Sequence, residues 1–125
     1  MSPLSTPSAP AALGPYSQGI DAGPFVFVSG QLPVDPATGE IPDDAAAQAV
    51  RAFANVRAIL AAAGLGLEHV AKTTVFLSDL ADFAAVNEVY ARAFVAPFPA
   101  RSCVQAAALP RGARLEVEAI AVRPS

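Results

Sequence analysis

The sequence predicts an α+β fold in which two helices pack on one face of a single β-sheet. The patterned segments run strand, turn, helix, strand, helix and then two extended runs, with no internal repeat. The right-handed rule for strand–helix–strand crossovers favours both helices on the same face. The strands nevertheless carry Phe, Val and Ile on both of their faces. Two helices cannot cover the second face, and a contiguous apolar patch of that extent marks an interface.

Taken in order, residues 1–13 are rich in Pro, Ser and Ala without periodicity, and read as a loose or extended arm. Tyr16 follows Gly14-Pro15 at the end of a turn; on residue type alone it is a partly buried aromatic anchor. Phe25 to Leu32 is a strand, apolar on both faces over its first half, and Ser29 interrupts it near its end. An isolated serine there reads as a satisfied structural hydroxyl. Asp35 to Glu40 has turn chemistry.

Asp43 or Asp44 caps a helix that runs to about Ala63 and stops at Gly64. Val50, Phe53, Val56 and Leu60 form its expected buried stripe, with Gln48, Arg51 and Asn55 toward solvent. Val70 to Leu77 is a second core strand, and His69 before it reads as a solvated loop residue. A second helix begins at Ser78 to Asp82 with Asp79 as its cap. Its stripe is Phe83, Val86, Tyr90 and Phe94, and Asn87 lies at the edge of that stripe, where its amide needs partners.

The chain's 125 residues, 1–125, are the length of one domain with room for a core. No run approaches the roughly 20 apolar residues of a membrane span. The opening MSPLSTPSAPAALGP has neither the basic start nor the continuous apolar stretch of a signal peptide. A net charge of −3 without a basic cluster argues against nucleic-acid binding. A single cysteine forms no internal disulfide and suits a reducing cytoplasm. One His and one Cys make no metal-ligand cluster.

Chemistry concentrates between Pro99 and Val122. Two extended runs flank Leu109-Pro110-Arg111-Gly112, whose residue types fit the turn of a hairpin. Alternation puts Arg101, Cys103 and Gln105 on one face of the first run, and Glu116 and Glu118 together on one face of the second. Pairing the runs directly across a four-residue turn would place Arg101 and Cys103 on the face of Glu116 and Glu118. An arginine and two carboxylates on apolar strands are costly unless paired or used, which suggests a site.

The strings Pro99-Ala100-Arg101-Ser102-Cys103-Val104, Leu109-Pro110 and Glu116-Val117-Glu118-Ala119 resemble the C-terminal signature of the RidA (reactive intermediate deaminase, YjgF) family. Gly14 to Gly19, Val28-Ser29-Gly30-Gln31, Lys72 to Phe76 and Val86-Asn87 match the same family in order. The resemblance covers nearly the whole chain after the first dozen residues. It implies the chorismate-mutase-like RidA fold: one mixed sheet of about six strands, two helices on one face, and a homotrimer with clefts between subunits. The activity implied is hydrolysis of 2-iminobutanoate and 2-iminopropanoate to 2-keto acids and ammonia, in the cytoplasm and without a cofactor or metal. The ligands are small imines and keto acids; neither nucleic acid nor membrane is a partner.

Such a substrate carries a carboxylate beside an electrophilic C=N carbon. A buried guanidinium grips a carboxylate with two prongs, which lysine cannot copy, and the resemblance assigns that role to Arg101. It assigns the water-activating carboxylate to Glu116. Residue type alone does not separate Glu116 from Glu118, the candidate for a structural ion pair. Tyr16, Ser29, Asn87 and Cys103 complete the implied ligand site. Cys103 can be read as a nucleophile, but that needs a positioned base and the one histidine is not placed nearby; in the family it offers mainly its backbone N–H. Between Asn87 and Arg101 the chain is a few residues shorter than many members, with Val95-Ala96-Pro97-Phe98 in place of a more polar loop. A small-molecule binding or regulatory module on this fold is the alternative. Retention of Arg101 favours the enzyme, and the acidic charge weighs against RNA cleavage.

Overall fold

The computed structural model describes all residues from Met1 to Ser125. Strands β1 (Ser2–Leu4), β2 (Gly19–Asp21) and β3 (Phe25–Gln31) are followed by helix α1 (Ala45–Ala62), β4 (Val70–Leu77), helix α2 (Phe83–Ala93), β5 (Ala100–Gln105) and β6 (Leu115–Val122). They form one six-stranded sheet in the order β1-β2-β3-β6-β4-β5. Only β4 and β5 are parallel neighbours; the other neighbouring pairs are antiparallel. The α1 and α2 crossovers step across the sheet in the same direction, so one handedness puts both helices on one face. This is the α+β architecture expected.

Helix α1 starts where the Asp44 carboxylate accepts the Ala47 N–H at 2.7 Å. It ends where Gly64, at φ +75°, lets its own and the next N–H turn back to Ala61 and Leu60. Its apolar side packs on the face of the sheet carrying Val26, Val28, Val75, Leu115 and Val117. Helix α2 closes the same layer through Phe53, Tyr90 and Phe94, whose rings meet at centroid distances of 4.4 to 5.7 Å.

Three expectations change. Leu109 to Gly112 does not join a hairpin: β4 lies between β5 and β6 and pairs with both. The turn chemistry is there, a single 3-10 turn at Pro110–Gly112 with Arg111 at φ 59°, but local turn residues do not decide which strands become neighbours. On α1, Val50 is more than half exposed, whereas Gln48 and Asn55 are buried. Gln48 donates to Pro42 O and accepts the Arg114 N–H; Asn55 donates to the carbonyls of Leu32 and Val34. An unsatisfied buried polar group costs about 1–3 kcal/mol, and these amides avoid it by fastening the loops that cross them. His69 also has a partner, because its Nδ1 accepts the Gly66 N–H at 3.0 Å.

Residues 1–13 start as a short strand and then turn at Pro7–Ser8. Strand β1 pairs with β2. Beyond β1 the buried Gln18 amide holds the arm in place, donating to the carbonyls of Thr6, Ala9 and Pro10 and accepting the Thr6 N–H. At the opposite end, Arg123 grips both Asp21 oxygens at 2.8 and 2.9 Å and donates to Gly23 O and Ala63 O. That single side chain ties β6, β2 and the end of α1 together.

The far face of the sheet is bare. Phe25, Phe27, Val104 and Val122 are more than a third exposed there, with Phe76 and Ile120 between them half-buried. No helix is long and apolar enough to cross a membrane.

Candidate active site

The inserted strand β4 decides where the candidate residues go. Thr73 stands opposite Arg101 on one side and Ala119 on the other, while Phe76 stands opposite Val104 and Glu116. Arg101 and Cys103 therefore share the helix-bearing face with Ala119, and Glu116 and Glu118 lie on the bare face. The expectation that all four share a face is wrong, because it paired β5 directly with β6. Within one chain the arginine and the two carboxylates are on opposite sides of the sheet.

On the helix side, Arg101 lies at the edge of the sheet beside α2. Its Nη1 donates to Asn87 Oδ1 at 2.8 Å. Its Cζ is 4.7 Å from the Tyr90 ring centroid and 5.5 Å from that of Phe83. Phe83, Asn87 and Tyr90 follow i, i+4, i+7 spacing, so one stripe of α2 presents ring, amide and ring to the guanidinium. A cleft of about 410 Å³ opens beside it, lined by Asn87, Tyr90, Ala91, Phe98, Pro99 and Arg101. In the single chain Arg101 is exposed, so the burial expected of it is not supplied by its own fold. Two residues on, Cys103 packs against the core. Burial pushes its thiol up, with the Arg101 charge pulling the other way, so the sulfur stays protonated near neutrality and is poorly suited to attack. The Ala106 N–H donates to Leu77 O; alternation then turns the Cys103 N–H away from β4, to the free edge.

On the bare side, the β3–β6 register slips between Val28 and Gln31. At this bulge the Glu116 carboxylate lies against Gly30, where a Cβ would stand 2.6 Å from Oε2. Only glycine leaves that space. Burial raises the Glu116 pKa above the usual carboxylate range, and the neighbouring Glu118 charge raises it further. Ser29 donates from Oγ to Ser17 O at 2.6 Å, and its N–H donates to Gln18 O. Its hydroxyl thus fastens the 14–18 segment to the bulge. Tyr16, on that segment, is exposed and lines a second cleft with residues of the arm.

The structure therefore puts Arg101, Asn87 and Cys103 on one side and Glu116 and Ser29 on the other, with Tyr16 in a separate cleft beside the arm. Reasoning from sequence missed Tyr90 and Phe83, which read as core, and Gly30. The i, i+4, i+7 spacing around Asn87 was the available signal for the first two.

Known proteins match this chain along almost its whole length. The chain is 54% identical over 123 residues to the 2-iminobutanoate/2-iminopropanoate deaminase of Escherichia coli K12, covering 96% of each. Among solved structures, E. coli TdcF with bound serine superposes with a TM-score of 0.95 at 50% identity, over 99% of this chain and all of that one. RidA from the Antarctic bacterium Psychrobacter sp. PAMC 21119 gives a TM-score of 0.95 at 46% identity, over 98% of this chain and 100% of its own. The family model described as endoribonuclease L-PSP matches residues 6–123, and the chain belongs to that family, the YjgF/RidA family.

Proposed function

We propose that this protein is a cofactor-free 2-iminobutanoate/2-iminopropanoate deaminase that works as a homotrimer in the cytoplasm, with each site shared between two chains. The observation that carries this reading is the Arg101 guanidinium, held by Asn87 and stacked on Tyr90 at the mouth of a cleft. The near-full-length relative named for this activity supports it.

Arg101 takes the substrate carboxylate, with the edge-facing Cys103 N–H in reach of the same anion. Glu116, as carboxylate, takes a proton from the water that adds to the C=N carbon, forming the C–O bond of a carbinolamine. It returns that proton to the imine nitrogen, then carries the carbinolamine hydroxyl proton to the same nitrogen as the C=O bond forms and the C–N bond breaks, so ammonia leaves with a 2-keto acid behind. A raised pKa suits a group that must both accept and donate near neutrality.

A single chain holds Arg101 and Glu116 on opposite faces, so the chemistry needs the Glu116 face of one copy beside the Arg101 edge of another. The bare apolar face supplies the drive. Each large apolar side chain fully buried contributes about 1.5–3 kcal/mol, and the Phe, Val and Ile side chains of that face can together offset an association cost of about 4–15 kcal/mol. The family description names an endoribonuclease, but a net charge of −3 favours a small anion gripped at one point over a polyphosphate backbone. The test generates 2-iminobutanoate in situ with a threonine dehydratase and monitors 2-ketobutanoate release. Acceleration by micromolar protein is expected; its absence would move the reading to a binding module.

A further inference from the structure

Gripping a carboxylate with two prongs requires the guanidinium plane to be fixed, and fixed rotationally within that plane. Arg101 sits on an exposed edge strand, where a long side chain left to itself samples many rotamers. The contacts around it remove both freedoms separately. Stacking on a ring sets the plane but permits spinning about its normal; the Asn87 hydrogen bond stops the spin.

The stacking surface is itself immobilised. Tyr90 is buried, and its hydroxyl shares a 2.7 Å hydrogen bond with Thr73 Oγ1, which is wholly buried. Thr73 is also the residue directly opposite Arg101 in the β4–β5 register. Phe94 and Phe53 pack against the ring at centroid distances of 4.4 and 5.6 Å. The strand pair that carries the arginine thus also carries the latch for the ring beneath it. Phe83, only partly buried, adds a second ring at the rim.

We propose that Tyr90 is a positioning residue for Arg101: its latched ring is the floor that holds the guanidinium flat and turns its remaining N–H donors toward the carboxylate. This rests on the reading that Arg101 binds that carboxylate. Tyr90 acts through Arg101 and touches no reacting atom.

Calorimetric titration with 2-oxobutanoate and with its amide, 2-oxobutanamide, tests it, because only the acid needs the fixed plane. Tyr90→Leu should weaken the acid up to roughly thirtyfold, the scale of a desolvated cation–π contact, and should weaken the amide by much less. Tyr90→Phe keeps the ring and should recover most of that loss. If Tyr90→Leu does not assemble, Phe83→Leu at the rim gives the same acid-selective loss at a smaller size, about two- to fivefold for an exposed contact. Equal weakening of acid and amide, or no weakening of either, would reduce Tyr90 to a core residue and overturn the proposal. Arg101→Ala is the separate control. If it leaves acid affinity intact, the carboxylate reading itself fails, whatever Tyr90 does.

Discussion

The Glu116 carboxylate rests against the bare Cα of Gly30, closely enough that a single methyl group would stand 2.6 Å from Oε2. The bulge in β3 and the acid in β6 are thus one device, in which the strand omits a side chain where the carboxylate needs room. The atom in the way is the end of a flexible side chain, so a substitution would displace the acid rather than break the fold.

Gly30→Ala should accordingly cost function more than stability. A misplacement of about 1 Å at a reacting group can lower the rate on the order of a hundredfold, so turnover should fall by one to two decades while thermal unfolding shifts little. Unchanged kcat in this variant would mean that Glu116 does not act from the position described.

Glu116 holds its proton more tightly folded than unfolded, because burial and the Glu118 charge both oppose ionisation. The folded state therefore binds the extra proton, and this residue's contribution to stability is present at low pH and lost as pH rises from the ordinary carboxylate range through the raised folded value. Glu116→Gln should raise the melting temperature at neutral pH while abolishing turnover, and should still bind a keto acid. The acidic limb of kcat/KM should lie above the usual carboxylate range, and Glu118→Gln should move it down. A limb that ignores Glu118→Gln would assign the titration to another group.

Arg101→Ala removes the charged partner of a bound carboxylate, worth roughly 3–5 kcal/mol when the pair is desolvated. At tenfold per 1.36 kcal/mol, kcat/KM should drop by roughly two to four decades. Arg101→Lys should recover little, since an ammonium has no planar fork and stacks less well on Tyr90. Steady-state kinetics on assembled protein decides; near-normal hydrolysis by either variant contradicts the clamp.

Opposite-face placement of Arg101 and Glu116 leads to a mixing experiment. Arg101→Ala and Glu116→Gln are each expected to be inactive, yet a mixed oligomer can join an intact arginine from one chain to an intact glutamate from the next. Co-refolding equal amounts should restore about a quarter of wild-type activity if chains mix at random around a ring. No recovery, with mixed oligomers verified by mass, would place the whole site within one chain.

Cys103→Ser keeps the edge-facing N–H and nearly the same shape. Hydrolysis should fall only modestly, within about tenfold, because a thiol kept protonated by burial is not the attacking group. A much larger loss with assembly intact would restore the nucleophile.

Both helices were legible because their signals are local: an Asp44 cap, alanine-rich periodicity and a terminating Gly64. Strand neighbours were not. Pro110 and Gly112 announce a turn truthfully, but a turn cannot report that β4, far earlier in the chain, slots between the runs it joins. Gln48 and Asn55 were misplaced for a related reason. An amide that fastens a distant loop looks, in sequence, like one that faces water. At the site, Arg101 and Glu116 stood out as charges on apolar strands, whereas Tyr90 and Phe83 were concealed by being apolar on an apolar stripe.

The Arg101–Glu116 separation also sets a kinetic order. If a lone chain folds but holds only halves of sites, dilution removes catalysis before it removes secondary structure. Where trimers dissociate directly to single chains, the assembled fraction falls as the square of free-chain concentration, and specific activity falls with it. Such an enzyme senses its own abundance: a threefold drop in expression, in the dilute limit, becomes a roughly ninefold drop in activity per chain.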